Sequence, residues 1–174
     1  MKKLVLYTVI LSIFMYFFLV GGNLFGTHQD IFSIIEHACT HMQGGPYEHI
    51  RAQGEGMGPG ANNPHTRYEI ELIAVEEDNK WGGNVHFSAS GHNDYLITLD
   101  SEIPLTLKQN GAIVEPNVVF SSEEITSKSN CPLIKKAYLF TLEIGKTLLD
   151  FGPGTLSSVQ MIIEKAHGDQ PHNH

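Results

Sequence analysis

The spacing of apolar positions changes character three times along the chain. From Leu4 to Val20 apolar residues run almost unbroken, interrupted only by Thr8 and Ser12, with Lys2 and Lys3 in front. A helical period follows: Ile31, Ile34, Ile35, Ala38 and Met42 recur at three- and four-residue spacing, and Gly44-Gly45-Pro46 ends the pattern. The spacing predicts a helix from about residue 28 or 31 to 43, opened by the capping pair Thr27 and Asp30. Pro46 could open a short second helix, "PYEHIRAQ", ending at Gly54. The stretch "GEGMGPGANNPHT" is too rich in glycine, proline and asparagine for a regular element and reads as a loop or linker.

From Arg67 the period becomes two. "RYEIELIAV" sets Tyr68, Ile70 and Leu72 against Glu69 and Glu71, and "NVHFSA" sets Val85 and Phe87 against His86 and Ser88. "DYLITLD", "IPLTLK" and, after the turn "QNG", "AIVEPNVVF" continue the pattern. "AYLFTLEIGKTLLDF" reads as a hairpin turning at Ile144-Gly145, and "SSVQMIIEK" as a last strand. Cys131 sits in a longer connection, "SSEEITSKSNCPLIKK". Short strands separated by turn signals predict a mainly β fold, an antiparallel β-sandwich of seven or eight strands with an immunoglobulin/cupredoxin-like outline. The expected division is 1–26 as signal peptide or membrane anchor, 27–53 as a helical head, 54–66 as linker, 67–166 as sandwich and 167–174 as a disordered His-rich tail.

The lysines and apolar run at the N-terminus are those of an export segment. Cleavage after Gly22 or Gly26 would make it a signal peptide. A retained helix over residues 4–25 would make it an anchor. Either places the rest outside the cytoplasm, periplasmic or extracellular. There Cys39 and Cys131 are free to pair, closing a loop worth roughly 4–5 kcal/mol of chain entropy. The formal charge of −8, with no Lys/Arg cluster, argues against a nucleic-acid partner.

The compositional outlier is histidine, at 10 residues. His37, His41 and His49 fall with Cys39 and Met42 in the stretch "EHACTHMQGGPYEH". On a helix, imidazoles at i and i+4 can share one metal ion, as in H-E-x-x-H, although here no glutamate follows His37. Both border the apolar stripe, so a docked helix would hold them at the rim of its seam. Cys39 lies about 160° round the helix from both, which favours a disulfide to Cys131 over ligation. His49 lies past a Gly-Gly hinge that can fold it back, and Met42 offers a thioether suited to copper or haem iron, though core packing is its first use. His86, pointing off its strand, and His92, in the next loop, could complete a site. His65, in the linker, reads as solvated, and His167, His172 and His174 as a weak metal-collecting tail.

No catalytic set stands out. Cys39 with a neighbouring histidine is a poor nucleophile–base pair, the glycine-rich stretches lack G-K-[ST], and Glu76-Glu77 and Glu123-Glu124 sit beside turns. The absence of C-x-x-C-H and C-x-x-C excludes covalent c-type haem and a classical zinc finger. The clustered Cys-His-Met motif of blue-copper sites is absent too. The leading expectation is therefore a non-enzymatic exported protein binding zinc, copper or nickel for storage, delivery or sensing. Ligands would come from His37, His41, His49, Met42, His86 and His92. Two alternatives stay open: a haem-binding or accessory subunit of a membrane redox complex, or a protein- or glycan-binding sandwich with incidental histidines.

Overall fold

A computed structural model describes residues 26–75 and 79–166, with side chains from residue 31 onward. The export segment, Glu76-Glu77 and His167, His172 and His174 lie outside the described residues, as do the side chains of the Thr27–Asp30 capping pair. The chain divides into two units, Met1–Ile31 and Phe32–His174, and both sheets with their core belong to the second.

The molecule is mainly β. Eleven strands among the described residues form two sheets, against the seven or eight expected. The first sheet has the order β1 (Tyr47–Arg51), β2 (Arg67–Glu71), β11 (Ser158–Lys165), β5 (Asn93–Leu99), β9 (Lys136–Leu142), β8 (Val118–Ser121). The second has the order β3 (Ile73–Val75), β4 (Lys80–Ala89), β10 (Gly145–Gly154), β6 (Leu105–Gln109), β7 (Ala112–Val114). Period-two alternation turns Tyr68, Ile70, Ile97, Phe140 and Met161 of one sheet toward Val85, Phe87, Leu107, Leu149 and Phe151 of the other, and these side chains make one core. The expected Asn110-Gly111 turn joins β6 to β7, both residues taking the positive φ of a tight hairpin.

Three local expectations are corrected. "PYEHIRAQ" is not helical: Tyr47–Arg51 is an edge strand, parallel to β2, because ladder pairing from Tyr47↔Arg67 to Arg51↔Glu71 outweighs a weak helical start. The sheet is therefore mixed rather than purely antiparallel. β9 and β10 make no hairpin: β9 pairs with β5 and β8, β10 with β4 and β6, so the chain crosses between sheets at Glu143-Ile144. The Cys131 connection contains a helix, α2 (Ser122–Ser129), whose Ser121 side chain accepts from the Glu124 amide and which ends on left-handed Asn130.

Helix α1 spans Gly26–Gly44, and its residues from Phe32 onward lie on the far face of the first sheet. Alternation alone would expose Leu96, Thr98 and Ile162, yet all three are buried. From α1, Phe32, Ile35, Ala38 and Met42 are buried at helical spacing. Phe32 meets Phe120 edge-on at 5.4 Å. The expected disulfide is present: Cys39, on the buried side of α1, is bonded to Cys131. Among the described residues no helix is long and apolar enough to cross a membrane.

The stretch 54–66 is strapped onto the second sheet. β3 pairs only with residues 80–82 of β4, leaving the next part of that edge open, and the chain from Gln53 fills it. Gln53 and Asn84 exchange two backbone hydrogen bonds, the His86 amide donates to Pro59 O, and the Ala61 amide donates to His86 O. Gly58 lies so close that a Cβ there would stand 2.0 Å from the Asn84 carbonyl oxygen.

Candidate metal centre

Four side chains from three parts of the fold converge: His37 and His41 of α1, His65 of the strapped loop and Glu164 of β11. One potential ligand atom from each lies within 4.8 Å of every other.

The C-terminus of α1 fixes His41. Helix ends leave carbonyls without intrahelical donors. Here Gly45 N–H donates to His41 O at 2.9 Å, Arg67 Nη1 to Met42 O at 2.7 Å, and Tyr47 Oη to Gln43 O at 2.8 Å. Gly45 takes φ +78°, the left-handed geometry of a helix-terminating glycine. Its carbonyl then faces back and lies 3.1 Å from His41 Nδ1. A carbonyl only accepts, so Nδ1 carries the hydrogen and Nε2 carries the lone pair. One helical turn earlier, His37 brings its Nε2 to 3.2 Å from His41 Nε2.

His65 arrives by strand register. β2 and β11 pair antiparallel, ending at Met161↔Tyr68. Three residues further along both chains that register sets His65 opposite Glu164. His65 Nδ1 lies 2.9 Å from Glu164 Oε2 and 3.2 Å from Oε1. His65 has φ +54°, uncommon for a residue with a side chain. Tyr68 holds the turn in place: its hydroxyl accepts from Asn63 N–H at 2.6 Å and donates to Asn63 O. Burial pushes the Tyr68 phenol above its ordinary pKa, which keeps it protonated and able to donate.

Glu164 shares the outward parity of Ile162, but α1 covers it, and its side chain is only 5% exposed. A buried carboxylate needs compensation. Here that comes from His65 and from His37, whose Nδ1 stands 3.6 Å from Oε1, an ion-pair distance beyond hydrogen-bond length. His37 and His65 themselves are about half exposed, at 51% and 52%. The centre therefore has a buried carboxylate floor and an open, imidazole-lined rim.

The remaining expected ligands stand elsewhere. His49 pairs with Glu69 Oε2 at 2.9 Å across β1 and β2, and His92 with Glu143 Oε1 at 2.8 Å, both in exposed positions. His86 Nδ1 donates to Gly58 O at 2.6 Å beneath the strapped loop. Met42 is 1% exposed on the packed face of α1. His65, expected to be merely solvated, belongs to the cluster, and Glu164 was not expected there. The signal available for them was the pairing of "RYEIE" with "SVQM", which extends to a His–Glu pair. With Cys39 in the disulfide, the cluster offers nitrogen and oxygen donors and no thiolate. No family model matches this chain, and no curated protein matches it either.

Proposed function

We propose that this protein binds a divalent transition-metal ion, without catalysing a reaction, through His37, His41 and His65 above Glu164. The observation that carries the reading is the 3.2 Å separation of the His37 and His41 Nε2 atoms. Two nitrogens each ~2.05 Å from one tetrahedral ion stand about 3.3 Å apart. Without an ion the same two atoms share one hydrogen in an N–H···N bond, which a metal would displace. Imidazole and carboxylate donors suit borderline ions, zinc, copper(II) or nickel, rather than soft copper(I), which favours thiolate and thioether. Exchangeable storage, delivery or sensing fits a centre with a half-exposed rim better than a buried structural role. The scaffold reading that accompanies it is a β-sandwich of immunoglobulin/cupredoxin-like outline. The disulfide is consistent with an oxidising, exported setting, and periplasmic or extracellular location is part of the proposal.

The test is elemental analysis of the full, disulfide-bonded chain after incubation with zinc, copper(II) or nickel and removal of excess ion, alongside a His37→Ala/His41→Ala variant. One equivalent retained by the wild type and lost by the variant is expected. Equal retention by both, or none by either, refutes the reading.

A further inference from the structure

We infer that the three imidazoles alone are the ligands, each through Nε2, that Glu164 positions two of them, and that the fourth coordination position takes an exchangeable ligand from solvent. This rests on the metal-binding reading above and specifies its coordination.

Each Nδ1 atom is turned toward an oxygen: His41 to Gly45 O at 3.1 Å, His65 to Glu164 Oε2 at 2.9 Å, His37 to Glu164 Oε1 at 3.6 Å. The two nitrogens of an imidazole point out of different edges of the ring, and the hydrogen bond at one selects the other for the metal. The hydrogen bonds at His41 and His65 Nδ1 leave the Nε2 lone pairs of those two rings for the metal, and His37, its Nδ1 at ion-pair distance from Glu164, turns its Nε2 to 3.2 Å from that of His41. The three rings are spaced for one ion: centroids are 4.6 Å apart for His37–His41 and 5.1 Å for both His37–His65 and His41–His65. Three Nε2-bound rings on a tetrahedral ion have centroids about 5.2 Å apart.

Glu164 meets the rings on their Nδ1 side. It thus stands behind two ligands as a carboxylate–histidine partner, away from the focus of the Nε2 atoms. It is buried while His37 and His65 are half exposed, so that focus lies on the solvent side and the remaining coordination direction faces water. Three protein ligands plus an open position is the arrangement that admits water, a small anion or a donor atom from another molecule. A centre of this kind can hand its ion to an incoming ligand without first losing one of its own.

The experiment uses cobalt(II), whose visible bands report coordination, on the full disulfide-bonded chain. Wild type is expected to bind one equivalent with a four-coordinate spectrum that shifts saturably on titration with azide. E164Q is expected to keep the azide-free band positions and the azide response while binding cobalt about 10- to 100-fold more weakly. Thermal melts of the metal-free proteins check that E164Q is folded. A wild-type spectrum indifferent to azide overturns the open position whatever the variant does. An azide-free spectrum altered in E164Q makes Glu164 a ligand and overturns the positioning role. Failure of wild type to bind cobalt, zinc, copper(II) or nickel instead refutes the metal-binding reading, and this inference with it.

Discussion

Replacing His65 by alanine separates the folded geometry from the sequence pattern, because His65 joins the cluster only through the three-dimensional fold. Its ring lies 5.1 Å from those of both His37 and His41. Structural zinc sites with four ligands are worth about 10–16 kcal/mol in all, so one ligand contributes on the order of 3–4 kcal/mol. At 1.4 kcal/mol per tenfold, His65→Ala is expected to weaken zinc roughly 10²- to 10³-fold. His49→Ala and His92→Ala remove exposed imidazoles paired with Glu69 and Glu143, away from the cluster, and both are expected to stay within about threefold of wild type. The assay is competition against a chromophoric zinc chelator at fixed pH and ionic strength, with the metal-free melting temperature measured for each variant. His65→Ala indistinguishable from wild type, or His49→Ala as damaging, would refute the argument from register and ring spacing.

Three further outcomes are expected of the scaffold. Cys39→Ala/Cys131→Ala opens a bridge between residues 92 apart in sequence, so urea unfolding is expected to show a loss of roughly 4–5 kcal/mol; a loss under ~1 kcal/mol contradicts it. Gly58→Ala forces a Cβ to 2.0 Å from Asn84 O, so the strap must shift, with about 1–3 kcal/mol lost and weaker zinc binding because the strap carries His65. Unchanged zinc affinity in a destabilised Gly58→Ala would uncouple strap from site. Burial raises the Asp100 carboxyl above the usual carboxylate range, against a bond from the Gln160 amide that lowers it. The native state thus holds this proton more tightly than the unfolded chain, and stability falls as pH rises through the raised value. Asp100→Asn keeps an acceptor for Gln160 and is expected to raise the melting temperature at pH 7 but not near pH 3.5; a gain that persists in acid would contradict the sign.

Much of the scaffold could be read from one-dimensional pattern. The isoleucine spacing located α1, the alternation after Arg67 located strands in both sheets, and the helical angle between Cys39 and the two histidines pointed to the bond with Cys131. The failures share a cause, since each depended on which neighbour a segment meets. "YEHIR" became a strand because β2 offered it a parallel edge; the glycine-rich stretch is the irregular loop its composition predicts, and what sequence could not give is the unpaired flank of β4 that holds it. Glu164 alternates like a solvent-facing residue, and only the docking of α1 turns that face into an interior. α2 is the exception: Ser121 and Glu124 form a local start signal that is legible in the sequence without any knowledge of its neighbours.

Two of the proposed ligands and the carboxylate behind them are held by contacts that involve no metal. His41 is fixed by the glycine cap that ends its helix, His65 by the β2–β11 register and the Tyr68 hydroxyl, and Glu164 by strand pairing beneath α1. The disulfide adds a covalent tie between α1 and the connection after α2. When ligands are pre-positioned, binding energy is not consumed in ordering them. In zinc fingers the metal folds the chain; here the fold comes first, and the ion should change local stability near residues 37–41 and 65 more than the fold as a whole. Hydrogen exchange with and without zinc distinguishes the two. Protection confined to the end of α1 and the turn before β2 agrees with a preformed site, whereas protection gained throughout both sheets would mean that the metal organises the fold and that the capped helix and register alone do not suffice.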